Sequence, residues 1–473
     1  MAKAAELTRP LAAHVDGIAF ERLPSDVVAK AKLCVLDSLG CALGGASHAA
    51  IGSLMEAVRP ASVDDPSTSA SVWAAGFRTG APMAALLNGS MAHVVNADDA
   101  HKETMGHPGT VVIPAALVVG EMLGVSGAAF LEAVVAGYEC LLRVGLGVGV
   151  ASHRDRGWYS TSTLGPFGAA AAAAKLMRLG PEGVAGAIGH AGAQASGLWA
   201  FTADGSLGNI VYPGRAAEAG VLAALLVRSG LSGPTRVLEA DDGGFLRAMS
   251  DQNAPDRILA DFGKRFMIMD VSLKPYPTSR TTHAAIDACL AIRARAGGTP
   301  WWVEKLSRII VRTYAVGKRQ ADIPDPETEW MATLSIPYTA AVALVEGAVG
   351  VEHFTRRYLD SPRIRAIMGK VEVVVDDEIS AAFPATWSCR VEVIGPDGAR
   401  EVERVESARG DPKNPMGPGE VRDKFHTLTR EILAQAAGER LCDFIAGLER
   451  EQNVAPLAAM LRGTPRGGKR ARG

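Results

Sequence analysis

Run after run of small and aliphatic residues with helical spacing fills the first half of this chain, and that pattern narrows what it can become. From Ser25 to Leu43, apolar residues recur at Val28, Ala31, Val35, Leu36 and Leu39, and Gly44-Gly45 stops the run. Similar segments cover Met83–Val95, Val112–Leu123, Ala128–Val144, Gly165–Leu176, Pro181–Ala195 and Ala216–Leu226. Alanine and glycine dominate them. Small residues let helix axes approach closely, so a tightly packed helical bundle is expected rather than a sheet protein.

After Ser272 the character changes. A helix over Ala284–Ala296 leads into Leu306–Tyr314, whose Ile309-Ile310-Val311 favours a strand, and Val371–Val375 and Cys389–Ile394 follow. Pro396-Asp397-Gly398 signals a turn before Glu401–Val405. From Gly419 to Leu461 the pattern is again amphipathic helix. At 473 residues two domains are natural. The expected architecture is mostly α: a large all-helical domain built from 1–268 and 413–473, with a smaller α+β domain, 269–412, inserted between.

The formal net charge of −2 gives no electrostatic reason to expect nucleic acid or an acidic membrane as partner. The one basic cluster, Arg466–Arg472, reads as a solvated tail. The first twenty residues lack the apolar core of a signal peptide, and apolar stretches such as Val111–Val125 fall short of a membrane span, so a cytoplasmic location is expected. Cys34, Cys41, Cys140, Cys289, Cys389 and Cys442 show no CxxC or zinc spacing, which fits buried thiols rather than disulfides or a metal site.

Gly145-Leu146-Gly147-Val148-Gly149 resembles a dinucleotide loop but follows a helical pattern, and no GxSxG elbow or Walker A sequence occurs. The densest polar cluster is His93, Asn96, Asp98, Asp99, His101, Lys102, Glu103 and His107, closing on Pro108-Gly109. Such residues suit a divalent cation, a solvated loop with helix-capping aspartates, or acid–base chemistry. Lys102 and the lack of an HxxxH face oppose the cation. Further clusters are Arg156–Thr163, running into the helix at Gly165; Gln194-Ala195-Ser196-Gly197; Tyr212-Pro213-Gly214-Arg215; and Lys274-Pro275-Tyr276-Pro277-Thr278-Ser279-Arg280 with His283 beyond. Lysine and arginine beside two prolines make a credible anion clamp.

Six segments in register carry a family likeness: Leu36-Asp37-Ser38-Leu39-Gly40-Cys41, Asp98-Asp99 to His107-Pro108-Gly109, Ser162–Gly168, Gln194–Gly197, Lys274-Pro275-Tyr276-Pro277 and Ser335-Ile336-Pro337-Tyr338. Together they resemble the MmgE/PrpD family, which includes 2-methylcitrate dehydratase, cis-aconitate decarboxylase and iminodisuccinate epimerase. The resemblance implies a helical domain from both chain ends, a lid domain between them, frequent homodimers, no cofactor, and a small polycarboxylate substrate. It also places His107, Asp99, Lys274, Arg280 and His283 at matching positions. Asn96 replaces the family's usual aspartate, Ala100 a threonine and Tyr159 a histidine, while Gly208–Gly214 lacks a lysine, an arginine and a histidine. An intact fold with a rewritten pocket points to a different substrate.

The expected catalytic groups are His107 as acid or base, Lys274 as clamp or base, Tyr159 and Asp99, without a bound metal. Arg280, Asn96, Tyr212, Asn209, Gln194 and His283 are expected to bind substrate. Lyase chemistry leads. An epimerase using Tyr159 and Lys274 on opposite faces of one carbon is the alternative, and a metal-dependent hydrolase or a member that only binds are the rivals.

Overall fold

The computed structural model describes residues 6–58, 63, 65–296 and 303–463, so the basic cluster at 466–472 lies outside the described residues. The chain is mostly α-helical, and its sheets are small. It divides into two compact units, Met1–Val271 with Gly417–Gly473, and Ser272–Met416.

The first unit is built around helices α1 (Ser25–Gly45), α2 (Ala81–Val94), α3 (Gly109–Leu123), α4 (Gly127–Val148), α5 (Ser160–Leu176), α6 (Gly180–Gly192) and α7 (Val211–Arg228). Every residue of α5 is buried. It is enclosed by α3, α4, α6 and α7, and its run Ala169–Ala174 gives those neighbours little to avoid. The α4–α5 crossing shows why small residues are needed. A Cβ added to Gly168 would sit 2.7 Å from the carbonyl oxygen of Gly137, and one added to Gly137 would sit 2.9 Å from that of Gly168. Any larger residue at either position forces the helices apart.

The glycine run at Gly145–Gly149 is the end of α4, with Gly149 left-handed at its C-cap, and forms no nucleotide loop. A hairpin pairing Ser69–Ser71 with Arg78–Gly80 was not legible in the sequence; its strands are only three residues long, too short for an alternating pattern. Among the described residues, the helical segment Leu207–Arg228 is long and apolar enough to cross a membrane. More than half of that window is buried, and its helix packs against α2 and α5 within the unit.

The second unit carries α8 (His283–Arg295), α9 (Ile336–Glu346) and a four-stranded sheet of β1 (Arg308–Thr313), β2 (Val371–Val375), β3 (Cys389–Ile394) and β4 (Arg400–Val405). The order is β2-β1-β3-β4, with β1 and β2 parallel and the other pairs antiparallel. Alternation along β3 buries Cys389, Val391 and Val393 while their neighbours are half-exposed, as a strand with one core face requires. Both α8 and α9 pack on the sheet.

From Gly417 the chain rejoins the first unit. Helix α10 (Pro418–Thr429) lies against α1.

Candidate active site

The polar cluster of the first unit is shaped by how α2 ends. After Val94 the backbone turns at Asn96, whose φ of +53° lies in the left-handed region that asparagine tolerates better than most residues. That turn folds the following residues back, so Asp98 meets His93 from the last turn of the helix: His93 Nδ1 lies 3.1 Å from Asp98 Oδ2. The substituted Asn96 therefore has a conformational reason as well as a possible chemical one.

Asp98 serves a second histidine. His107 Nδ1 lies 3.0 Å from the same carboxylate oxygen and donates to the Asp99 carbonyl at 2.7 Å. His107 N–H also donates to Thr161 Oγ1 in the first turn of α5, at 3.1 Å. On the other side of His93, Nε2 lies 3.1 Å from Tyr159 Oη. Tyr159, His93, Asp98 and His107 thus form one connected chain of side chains, of which only His107 is appreciably exposed, at 18%. Burial, together with the charge of Asp98, holds the Tyr159 phenol well above its ordinary ionisation range.

Tyr159 is also the N-cap of α5 through its carbonyl, and its ring is walled by Trp199, Phe201 and Tyr212 with centroids 5.1, 5.7 and 5.9 Å away. Asn209, from the same substituted segment, is buried, and its amide oxygen has no hydrogen-bond partner among the described residues.

Asp99 points the other way. Its Oδ1 accepts the Gly109 N–H at 2.8 Å, so it caps α3, and its Oδ2 accepts the Tyr138 hydroxyl at 2.6 Å. Burial pushes this carboxyl up to about 7, although the Tyr138 and Gly109 bonds favour the anion. A Cβ on Gly109 would fall 2.8 Å from Asp99 Oδ1. Gly109→Ala is therefore expected to cost about 1–3 kcal/mol by overpacking, read by urea unfolding; an unchanged midpoint would show that the cap yields freely.

Gln194 lies at the end of α6, where its amide nitrogen donates to the carbonyls of His190 at 3.1 Å and Ala219 at 3.4 Å. His101 is buried and held neutral, its ionisation pushed down to about 4 by burial.

In the second unit, Lys274 is fully buried. Arg280 donates to His283 Nδ1 at 2.9 Å and to the carbonyls of Arg409 and Ala408, both at 3.2 Å, with Asp411 at 3.7 Å. His283 Nε2 faces the Thr278 carbonyl at 3.3 Å. Much of the Arg280 guanidinium therefore ties the start of this unit to its end, a role that competes with clamping an anion.

His93, Asp98 and His107 each offer a ligand-type atom within 4.8 Å of the others, a spacing a cation could bridge. With no cation there, each Nδ1 faces acceptor oxygens and carries a proton, which a bridging cation would have to displace.

Two residues escaped the sequence reading of roles. His93 lay inside the recognised cluster, and its signal was the five-residue step to Asp98 across a helix end. Lys424 of α10 pairs with buried Asp37 of α1 and donates to the Ala97 carbonyl in the same loop. Nothing near position 424 announces that role.

This arrangement, a mostly helical unit with a buried histidine–carboxylate–histidine–tyrosine chain, defines a candidate acid–base centre. The chain matches the MmgE/PrpD N-terminal domain over residues 9–258 and the MmgE/PrpD C-terminal domain over residues 276–450, and it belongs to that family. Among its relatives, the cis-aconitate decarboxylase-like protein oryM of Aspergillus oryzae is 28% identical, covering 93% of this chain and 94% of the relative. The cis-aconitate decarboxylase of Aspergillus terreus is 25% identical over 96% of each chain. The human cis-aconitate decarboxylase is 27% identical over 97% of this chain and 95% of its own.

Proposed function

We propose that this chain is a cofactor-independent lyase that acts by carbanion chemistry next to a carboxylate of a small polycarboxylate. The buried cluster around Asp98 carries the reading. It holds His107, an imidazole that can give or take a proton, in one tautomer and at the partly exposed end of the network. Relatives named as decarboxylases match nearly end to end, and decarboxylation leaves a carbanion that must be protonated.

The substrate differs from cis-aconitate in this reading. Where related sequences carry cations, the segment Gly208–Gly214 offers the buried acceptor oxygen of Asn209 and the ring of Tyr212. These favour a ligand with a hydrogen-bond donor and less negative charge on that side. Lys274 and Arg280 remain the proposed carboxylate contacts, with His283 orienting Arg280.

A second reading, epimerisation of a dicarboxylate, is favoured by Tyr159 resting on His93, a pair suited to taking a proton from carbon and giving it back. Incubation in heavy water with cis-aconitate, 2-methylcitrate and aminodicarboxylates separates the two. Carbon dioxide or water release supports the lyase; deuterium wash-in with neither supports the epimerase. Inertness toward the whole panel counts against both.

Activity is expected to survive EDTA, because a cation at this cluster would have to displace the Nδ1 protons of both His93 and His107 and break their bonds to oxygen. Loss on chelation, restored by zinc or manganese, would sink the metal-free reading.

A further inference from the structure

We propose that Tyr159 exchanges protons with the substrate through His93, which Asp98 holds in its Nδ1–H tautomer, so that the three form a hydroxyl–imidazole–carboxylate relay. The inference rests on the reading that this cluster is the acid–base centre. It deepens that reading by giving His93 a positioning role that neither the family likeness nor the relatives' names supply.

With His93 neutral, the geometry has one consistent proton assignment. Asp98 Oδ2 only accepts, so the His93 nitrogen 3.1 Å away carries the hydrogen. Neutral His93 then has its lone pair on Nε2, and the Tyr159 hydroxyl at 3.1 Å must be the donor. All three side chains are buried, so no bulk water competes for these bonds. The order of groups is that of a serine–histidine–aspartate triad, with a phenol as the terminal hydroxyl.

Tyr159 alone is a poor base, because its phenol in this apolar, aromatic-walled site resists ionisation. His93 removes that difficulty. When a substrate C–H bond breaks, its proton goes to Tyr159 Oη as the original Oη proton passes to His93 Nε2. The electron pair of the C–H bond stays on carbon, conjugated with the neighbouring carboxylate, and the imidazolium is balanced by Asp98. Run backwards, from a His93 that has first taken a proton from solvent, the imidazolium proton refills Tyr159 while the Oη proton goes to the carbanion, as protonation after loss of carbon dioxide requires. Each decarboxylation thus consumes one solvent proton, and water is the only other reactant. Tyr159 replaces a histidine usual in the family, so the relay explains how a weakly acidic phenol can occupy that position.

The first test needs no substrate. In the full wild-type chain, nitrogen-15 NMR of the His93 ring should show Nδ1 protonated and Nε2 unprotonated near neutral pH. The opposite tautomer would mean that His93 donates to Tyr159, and would overturn the relay. The second test uses turnover of whichever member of the panel of cis-aconitate, 2-methylcitrate and aminodicarboxylates the wild-type protein consumes. Replacing His93→Gln and Tyr159→Phe should each lower kcat by about 10²–10⁴-fold, and the double variant should be no worse than the poorer single, as for residues acting as one unit. Losses that multiply in the double variant would show independent roles and overturn the proposal. Should wild-type protein turn over no member of that panel, the lyase reading fails, while the tautomer still decides the relay.

Discussion

Replacing His107→Gln is expected to lower turnover by about 10²–10⁴-fold, the usual loss for a positioned acid–base group. The residue is fixed at three points: its backbone N–H on Thr161 Oγ1, and its ring Nδ1 between the Asp99 carbonyl and Asp98. Glutamine can keep a donor toward those oxygens but has no group that exchanges a proton near neutral pH. The loss should therefore fall on kcat more than on KM, with the unfolding midpoint little changed. It is checked by kinetics on whichever polycarboxylate the wild-type protein turns over, with deuterium exchange alongside. Unchanged kcat in a folded sample would remove His107 from the chemistry and leave it as a helix-end anchor.

Replacing Lys424→Met is expected to destabilise the chain by about 3–5 kcal/mol, because it leaves a buried carboxylate without its partner. Asp37 and Lys424 are both nearly inaccessible, and Lys424 also holds the Ala97 carbonyl. The deficit should depend on pH with a definite sign. Burial already raises the Asp37 carboxyl above its ordinary value, and removing Lys424 raises it further. Below about pH 4 the folded and unfolded carboxyls both hold the proton, and the difference from wild type should be small. As pH rises from there toward the raised folded-state value, the variant keeps a proton that the unfolded chain releases, so stability falls; above that value both states are ionised and the deficit stays constant. Urea unfolding of both proteins across that range measures it. An equal deficit at every pH would mean that lost packing rather than lost charge dominates. Because Lys424 also anchors the loop bearing Asp98, activity should fall with stability and recover only if the loop is held by other contacts.

Most elements were legible in the sequence because their periods are local. The small-residue helices, the Ile309–Val311 strand and the Pro396–Gly398 turn follow from neighbours within a few residues. The 69–80 hairpin was not, since strands this short carry no period. The helix read over Ala216–Leu226 is present within Val211–Arg228, and its packing rather than its apolar length marks it as a core helix.

The polar cluster was likewise visible as a set of residue types, but types do not say which atoms face each other. Asp98 and Asp99 are adjacent and chemically identical. Only the fold sends one to two histidines and the other to Tyr138 and the start of α3. The sequence alone determined a mostly helical chain, its family likeness, and the positions where its pocket departs from the usual pattern. The tertiary structure decided that His93 stands behind Tyr159, that Arg280 is drawn into contacts with its own backbone, and that a lysine hundreds of residues downstream neutralises Asp37. Hydrogen bonds and buried charges depend on approaches of about 3 Å. Those approaches come from packing between distant segments, and no local pattern encodes them.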